Sequence, residues 1–173
     1  ALRVGDPLDE KSQMGPINSG RQYQRVLQYI EAGKQDGARL ATGGKRPRGE
    51  QFAKGYWIEP TVFAGATMDM RVAREEIFGP VLSILRWRTV DEAVALANAT
   101  EYGLTAAIWS EDLKAALNMA RRVESGYVWI NGASSHHRGT PFGGRKNSGI
   151  GREECLDELL SYTQVKAIHV TMN

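Results

Sequence analysis

The chain has 173 residues, 42% of them hydrophobic, a length that allows one domain or a large part of a bigger protein but not a complete two-domain enzyme. This hydrophobic fraction predicts a folded core and excludes a disordered chain. The 22 Lys and Arg residues against 20 Asp and Glu give a net charge of +2, which argues against a dedicated surface for nucleic acid or anionic membranes. Small molecules or copies of the chain are the expected partners.

The single cysteine and the apolar stretches bear on location. Cys155 has no second cysteine to pair with, and the chain opens without a charged and apolar leader, so we expect a reducing cytoplasm. The longest apolar stretches, such as residues 93–97 and 127–130, are far shorter than the ~18 residues of a spanning helix. No membrane span is therefore predicted.

The first predicted helix follows Asn18 or Ser19, either of which can serve as its N-cap. Gly33 and Gly37 are available to end it. Apolar side chains recur at the spacing of one helix face. They are Tyr23, Val26, Leu27 and Ile30.

Two strands and an exposed loop are predicted next. Arg39–Thr42 is one strand, and Tyr56–Phe63 is another that Pro60 pushes towards a sheet edge by removing a backbone donor. The loop Gly43–Gly55 lies between them. We expect its basic run, residues 45–48, to be solvated.

The centre of the chain has the order strand, helix, strand, helix, strand. A capping box, Thr89-x-x-Glu92, opens the first helix, and Ser110 is the expected cap of the second. The strands are Val81–Trp87, Thr105–Trp109 and Tyr127–Ile130. Helix-length crossovers between short apolar strands predict an α/β fold with a parallel βαβαβ sheet, half of a doubly wound fold. Ligands bind beyond the carboxyl ends of such strands, which directs attention to the loop after the last strand.

That loop, Asn131–Gly151, is rich in glycine and leads to a final helix and strand. The helix carries Leu156, Leu159 and Leu160 on one face, and Glu153 and Glu154 are expected in its first turn. The tail Thr163–Met172 predicts a terminal strand. A terminal strand needs a partner, and pairing with another subunit would make the protein a homo-oligomer.

The cysteine and histidine residues give little support for a reactive or metal site. Cys155 is placed within the final helix between Glu154 and Asp157, and nearby negative charge disfavours a thiolate, so a structural cysteine is expected. His136 and His137 point apart on a loop and have no ligand partner at suitable spacing. No metal site is predicted from them.

Two segments invite a nucleotide-binding interpretation. Gly143–Gly151 contains Lys146, but it lacks both Gly-Lys-Ser/Thr and the third glycine of a dinucleotide fingerprint, which disfavours a pyrophosphate site. The run from Glu75 and Glu76 through Phe78 to Pro80 offers carboxylates for a sugar diol and a ring to cover a flat heterocycle. Spacing alone favours a short helix end with solvated acids.

Five segments, taken together, change the balance between the nucleotide-binding interpretation and a helix end with solvated acids. They are Glu75-Glu76-Ile77-Phe78-Gly79-Pro80-Val81, Asn98 through Tyr102-Gly103-Leu104, Gly126-x-Val128-Trp129-Ile130-Asn131, Pro141-Phe142-Gly143-Gly144-x-Lys146-x-Ser148-Gly149-x-Gly151-Arg152-Glu153, and Tyr162-Thr163-x-x-Lys166. Their order and spacing resemble the NAD(P)-dependent aldehyde dehydrogenase superfamily. The resemblance covers essentially the whole chain.

The resemblance implies the C-terminal third of a family member. Residues 1–161 would be the last part of an incomplete catalytic domain, and residues 162–173 the strand that joins a partner subunit in a dimer or tetramer. The catalytic cysteine, the general-base glutamate, the oxyanion-stabilising asparagine and the Rossmann cofactor domain would lie in a missing N-terminal portion. Ala1–Val4 is predicted to be the end of a strand, as expected for a chain that begins in the middle of a domain.

The resemblance also implies a cofactor site. Glu76 is similar to the glutamate that hydrogen-bonds the nicotinamide ribose, and Phe78 to the ring that packs near the nicotinamide. Gln22 and Arg25 are placed to reach the adenosine ribose. Whether the cofactor is NAD or NADP is left open.

Further implied roles concern the substrate and the chemistry. His136 and Phe142 match positions that line the aldehyde tunnel, and many relatives have an aromatic residue where His136 stands. Glu153 matches a glutamate described as a proton relay. The betaine-aldehyde-type branch uses the backbone around Lys146 and Gly149 to hold a potassium ion.

The implied activity is oxidation of an aldehyde, of betaine-aldehyde or aromatic type, to a carboxylic acid through an acyl-thioenzyme, with hydride transfer to NAD or NADP. Without a nucleophile, the 173-residue chain alone is expected to be inactive. The alternative is a non-catalytic binding or assembly module, derived from a dehydrogenase, that pairs with itself or with a longer subunit.

Overall fold

The computed structural model describes residues 2–172 and divides into two compact units, Ala1–Arg88 and Thr89–Asn173. Each unit has its own helices and its own short strand pairings. No helix in this described part of the chain is long and apolar enough to cross a membrane.

The first unit packs one long helix against a three-stranded sheet. Its elements are α1 (Gly20–Gln35), β1 (Arg39–Thr42), a 3-10 turn (Glu50–Phe52), β2 (Thr61–Ala64), α2 (Arg71–Arg74) and β3 (Val81–Ile84). β1 runs antiparallel to β2, and β3 runs parallel to β2 on its other side. The sheet is therefore mixed.

α1 begins where the sequence predicts. The Ser19 hydroxyl accepts a hydrogen bond from the Gln22 amide at 3.3 Å, which satisfies one of the free donors of the first turn. The chain turns away at Gly37, whose φ of 91° lies in the left-handed region that favours glycine. Gly33 does not end the helix but lies buried within it. An added Cβ there would stand 2.8 Å from Val72 Cγ1 and 2.9 Å from Phe63 Cζ, so this glycine allows close packing.

The core of the first unit lies between α1 and the sheet. Val26, Ile30 and Phe63 have no exposed surface. The other buried members are Tyr29, Ala38, Ile58, Val72 and Ile77. Burial contributes about 1.5–3 kcal/mol for each large apolar side chain, and Ile77 thereby anchors the segment that follows α2.

β2 is the central strand of its sheet and not the edge strand that the sequence predicts. The strand predicted over Tyr56–Phe63 begins only at Thr61. It pairs on both sides, so the predicted edge position is wrong. The missing donor of Pro60 falls before the ladder begins, and the next amide, that of Thr61, donates to the Pro80 carbonyl at 2.8 Å.

The second unit holds the remaining seven elements. They are α3 (Val90–Asn98), β4 (Tyr102–Gly103), β5 (Thr105–Ile108), α4 (Leu113–Arg122), β6 (Tyr127–Ile130), β7 (Arg145–Lys146) and α5 (Leu156–Ser161). β5 and β6 are parallel neighbours joined through α4, while β4 pairs antiparallel with β7. The β5–α4–β6 crossover has the expected form.

The α/β class is confirmed, whereas one continuous βαβαβ sheet is not. The five predicted elements occur in the predicted order. However, β3 pairs with β2 inside the first unit, and β5 pairs with β6 inside the second. The pairing is also mixed, because β1 and β7 run antiparallel to their partners.

The two central helices differ in how well their starts were predicted. The Thr89 hydroxyl caps α3 by accepting from the Glu92 amide at 3.2 Å, as the capping box predicts. Ser110 is not the cap of α4. Asp112 is, since its carboxylate accepts from the Ala115 amide at 2.9 Å. The Ser110 hydroxyl instead accepts from the Asp112 amide at 3.1 Å, in the turn before the helix.

α5 is shorter than the sequence predicts. It begins at Leu156, so Cys155 occupies the N-cap position and is not within the helix. Glu153 and Glu154 precede the helix, and the acids of its first turn are Asp157 and Glu158. The three predicted leucines are all exposed.

The tail after α5 has neither helix nor strand over residues 164–172. Its apolar side chains are largely exposed: Val165 101%, Ile168 80%, Val170 73% and Met172 90%. A strand requires a neighbour, and no other described segment of the chain pairs with this one. The oligomerisation strand remains a prediction.

Candidate functional site

A groove on the first unit brings together the two predicted cofactor residues. It is an open cavity of about 710 Å³ between the exposed face of α1 and the segment after α2. Glu76 and Phe78 line one side, and Gln22 and Arg25 line the other. The remaining lining residues are Ser19, Arg21, Gln24 and Gln28. Four residues that the sequence analysis linked to a nucleotide therefore share one groove.

The position of Phe78 is fixed through its backbone. The Gln22 side-chain amide donates to the carbonyls of Ile77 and Phe78, at 2.9 Å each. Phe78 has a φ of 55°, a left-handed conformation that costs a non-glycine residue about 1–3 kcal/mol. Gly79 lets the segment approach α1, since an added Cβ would lie 2.5 Å from Val26 Cγ2. Phe78 is 76% exposed at the groove, while its neighbour Ile77 is buried.

The adjacent carboxylates of Glu75 and Glu76 have different surroundings. Glu75 accepts two hydrogen bonds from Arg71, at 3.0 and 3.2 Å, and one from the Tyr29 hydroxyl at 2.8 Å. Hydrogen bonds from Arg71 and Tyr29 hold the pKa of Glu75 below its usual value. Burial, followed by the hydrogen bond to Glu75, raises the pKa of Tyr29. Glu76 is exposed in the groove, so of the two it is the one placed to meet a ligand.

Tyr29 and Arg71 were missed by the sequence analysis. The four-residue spacing from Arg71 to Glu75 is a signal for a helical ion pair that was present in the sequence. Nothing in the linear spacing links Tyr29 to Glu75, which lies 46 residues further along.

The second unit brings together the two predicted substrate residues. His136 and Phe142 stack with ring centroids 4.2 Å apart and planes 29° apart. Trp129 also stacks with His136, at 5.8 Å, and Tyr127 lies 5.6 Å from Phe142. We call Tyr127, Trp129, His136 and Phe142 the aromatic cluster. Two of its rings come from β6 and two from the loop after β6, where the sheet pattern predicted a site.

Glu154 holds the imidazole of His136 at the margin of this cluster. Its Oε1 lies 3.0 Å from His136 Nδ1, and both side chains are about one-third exposed, at 37% and 31%. The Trp129 indole donates to the Ser135 carbonyl at 2.7 Å, which fixes the residue before His136. This partner could not be predicted from the sequence, because the predicted final helix includes Glu154, whereas α5 begins only at Leu156.

Glu153, the predicted proton relay, is joined to the aromatic cluster through its backbone. Its amide donates to the Phe142 carbonyl at 2.7 Å, and the Phe142 amide donates to the Glu153 carbonyl at 3.0 Å. The Glu153 side chain is exposed. Its role in proton transfer stays a prediction.

In the glycine-rich loop, the Lys146 side chain is bound to other groups of the second unit. The Lys146 ammonium donates to the carbonyls of Asn98 and Thr100, at 2.7 and 3.0 Å, and pairs with the Glu124 carboxylate at 2.7 Å. An ammonium bound in this way has few donors left for a phosphate. Within residues 2–172, no three His, Cys, Asp or Glu side chains converge to hold a metal ion.

Comparison with known proteins assigns the chain to a class. A sequence model of the aldehyde dehydrogenase family matches residues 1–168. The chain belongs to the aldehyde dehydrogenase family. Among its members, the similarity to betaine aldehyde dehydrogenases is supported by both sequence and structure, as follows.

Two curated relatives illustrate the sequence match. Betaine aldehyde dehydrogenase of Brucella anthropi is 47% identical over 171 residues, which cover 99% of this chain and 35% of the relative. Aldehyde dehydrogenase tropH of Talaromyces stipitatus is 44% identical over 174 residues, covering 99% and 34%. The chain thus spans about a third of the length of these relatives.

Two solved structures show the same likeness. An aldehyde dehydrogenase of Mycobacterium tuberculosis complexed with NAD+ matches with a TM-score of 0.90 and 43% identity, over 95% of this chain and 33% of that one. A betaine aldehyde dehydrogenase of Staphylococcus aureus in complex with NAD+ matches with a TM-score of 0.90 and 37% identity, over 93% and 32%. The α/β units described above therefore have the fold of the corresponding third of these enzymes.

Proposed function

We propose that this chain is the C-terminal third of an NAD-dependent enzyme that oxidises an aldehyde to a carboxylic acid. The observation that carries the proposal is the groove in which an exposed carboxylate, that of Glu76, lies beside an exposed ring, that of Phe78. Both solved relatives described above are complexes with NAD+, which supports NAD as the cofactor. NADP remains the alternative, since the groove gives no reason to prefer the adenosine ribose of NAD over that of NADP.

The groove suits a nicotinamide riboside in its chemistry. A carboxylate accepts hydrogen bonds from both hydroxyls of a ribose, and Glu76 is the groove carboxylate that can do so. Phe78 presents a flat apolar face that orients a heterocycle and excludes water from it. Gln22 holds the backbone beneath that ring, and Arg25 extends the groove towards the rest of a dinucleotide. NAD+, when bound, supplies the hydride acceptor.

The aromatic cluster is the proposed wall of the aldehyde tunnel. His136 and Phe142 stack at its centre, with Trp129 and Tyr127 against them. Aromatic faces attract quaternary ammonium groups and also stack on aromatic rings, which supports a betaine-type or an aromatic aldehyde as the substrate. Glu153 is proposed to relay a proton next to this wall.

A bound potassium ion is also part of the proposal. Backbone carbonyls are suitable ligands for such a cation, and the Lys146 carbonyl accepts a long hydrogen bond, 3.5 Å, from the Gly149 amide. The carbonyls of Lys146 and Gly149 are two oxygens, fewer than a hard cation usually takes. They could form only part of such a site.

Assembly is proposed to involve the tail. Residues 162–173 would pair with the sheet of a partner subunit in a dimer or tetramer, and residues 1–161 would complete the catalytic domain of a longer chain. The exposed apolar side chains of residues 165–172 support this. The nucleophile and the general base would then be supplied by the preceding portion.

The function is tested on the complete product of the reading frame that contains these residues. We expect NADH to form when NAD+ is supplied with betaine aldehyde or benzaldehyde, followed by the absorbance of NADH. The 173-residue chain alone should form none. Absence of NADH with the complete product across a panel of aldehydes would overturn the proposed activity. Turnover by the short chain would contradict the placement of the nucleophile elsewhere.

A further inference from the structure

Tyr29 occupies an unusual position beneath the groove. The residue is 5% exposed, and two guanidinium groups lie near its ring, with the Cζ atoms of Arg25 and Arg71 at 5.2 and 5.1 Å from the ring centroid. Cations favour the faces of aromatic rings, so the two arginines stabilise the ring. Only Arg25 of these three residues lines the groove.

The hydroxyl of Tyr29 connects two hydrogen-bonded groups. It donates to Glu75 Oε2 at 2.8 Å and accepts from Arg25 Nη2 at 3.2 Å. The same Arg25 nitrogen donates to the backbone carbonyl of Glu76 at 3.2 Å. On the far side, Arg71 binds Glu75 through two hydrogen bonds. A continuous path therefore runs from Arg71 to the backbone of Glu76.

The direction of every bond in this path is fixed by chemistry. A guanidinium only donates, and an ionised carboxylate only accepts. The tyrosine hydroxyl must therefore accept from Arg25 and give its proton to Glu75. Tyr29 is the only member of the path that both donates and accepts. Removing its hydroxyl therefore interrupts the path between Glu75 and Arg25.

We propose that Tyr29 and Glu75 are positioning residues that set the orientation of Glu76 towards the cofactor ribose. This rests on the proposed function. Glu75 and Tyr29 do not line the groove, so they act on it through Arg25. Without the Tyr29 hydroxyl, Arg25 loses one of its two acceptors and its guanidinium is free to leave the Glu76 carbonyl. Glu76 then has to be ordered by the ligand, which weakens ligand binding.

The variant Tyr29→Phe removes the hydroxyl and keeps the ring that the two arginines contact. In the complete protein we expect KM for NAD+ to rise about threefold to tenfold with a smaller change in kcat, as for the loss of one hydrogen-bonded link. Tyr23→Phe is the matched control, because Tyr23 lies on the same helix and packs on Tyr56 at 5.7 Å outside this path. Glu75→Gln, which keeps an acceptor for Tyr29, should have a smaller effect.

A double substitution separates positioning from a purely structural role. If Tyr29 acts through Glu76, Tyr29→Phe should add little to the effect of Glu76→Gln on KM for NAD+. A structural role would make the two effects multiply, and that result would overturn the proposal. An unchanged KM in Tyr29→Phe would overturn it as well.

A spectroscopic measurement keeps this test separate from the proposed function. The phenol of Tyr29 should ionise above the usual pKa of tyrosine, and the ultraviolet difference between wild type and Tyr29→Phe isolates it. A phenol that titrates at the ordinary pKa would show that the link to Glu75 is absent. If wild type fails to use NAD+ while this phenol titrates late, the proposed function fails and the hydrogen-bonded path stands.

Discussion

The imidazole of His136 is held on two sides, stacked on Phe142 at 4.2 Å and hydrogen-bonded to Glu154 at 3.0 Å. Stacking sets the plane of the ring, and the hydrogen bond through Nδ1 sets its rotation within that plane. Because an ionised carboxylate only accepts, the Nδ1 that faces Glu154 is the nitrogen that donates, and Nε2 is left without this partner. His136 is therefore an oriented polar group within the aromatic cluster.

Disrupting this orientation should affect the aldehyde and leave the cofactor unaffected. In Glu154→Gln we expect KM for the aldehyde to change by about twofold to tenfold, in line with the loss of one charge-assisted hydrogen bond, while KM for NAD+ stays the same. Steady-state kinetics with each substrate varied in turn measures both. Asp157→Asn, nearby on α5, is the control. Equal KM values for the aldehyde in wild type and Glu154→Gln would contradict an oriented His136.

Close packing at Gly33 should make an added methyl group costly. The Gly33→Ala variant places its Cβ within 3 Å of both Val72 and Phe63, so we expect the free energy of unfolding to fall by about 1–3 kcal/mol despite the better helix propensity of alanine. Chemical denaturation measures the change. Gly132→Ala is the control, since no atom lies within 4 Å of a Cβ there. Equal stability of the two variants would mean that α1 does not pack on β2 as described.

The Tyr29–Glu75 pair should give stability a dependence on pH at both extremes. The pKa of Glu75 is lowered by hydrogen bonds from Arg71 and Tyr29, so its contribution is complete above the usual 4.5 and is lost as the pH falls through the folded pKa. The pKa of Tyr29 is raised by burial and by Glu75, so its contribution is complete below the usual 10.0 and is lost as the pH rises through the folded pKa.

Urea denaturation at a series of pH values tests these signs. Relative to wild type, Glu75→Gln should lose less stability on acidification, and Tyr29→Phe should lose less on alkalinisation. Parallel pH profiles for the three proteins would contradict the pairing.

The tail should control assembly. Truncation after Ser161 removes the exposed apolar residues 165–172, and we expect the complete protein to fall to a smaller assembly, measured by light scattering coupled to size-exclusion chromatography. Leu8→Asp alters a side chain that is 92% exposed in the first unit and serves as the control. An unchanged mass after truncation would locate the subunit contacts elsewhere.

Local rules predicted the parts of the fold that depend on neighbouring residues. The caps Ser19 and Thr89 each require only a hydroxyl three residues before a free amide, and both were found where expected. The prediction of Ser110 as the cap of α4 was wrong because Asp112, two residues later, offers a charged acceptor. Its carboxylate lies three residues before the Ala115 amide that it caps. The predicted edge position of β2 was wrong for two reasons. Pro60 lies just before the first residue of the strand, and the order of strands in a sheet depends on residues far apart in the sequence.

The residues of the candidate site also differ in how far the sequence alone predicts them. Glu76 and Phe78 could be found because they lie in one contiguous motif with a recognisable resemblance. Tyr29 and Glu154 could not, since their partners lie 46 and 18 residues away and are brought close only by tertiary structure. Residues that share a contiguous motif were thus predictable as neighbours, while partners brought close only by tertiary structure were not.

The measurement that tests the central claim most directly is the affinity of the complete protein for NAD+, determined by calorimetry for wild type and for Glu76→Gln. Loss of the charged acceptor should weaken binding about tenfold to a hundredfold, while Glu10→Gln, on an exposed loop, should bind like wild type. If Glu76→Gln binds NAD+ as tightly as wild type does, the groove beside Phe78 is not the nicotinamide ribose site.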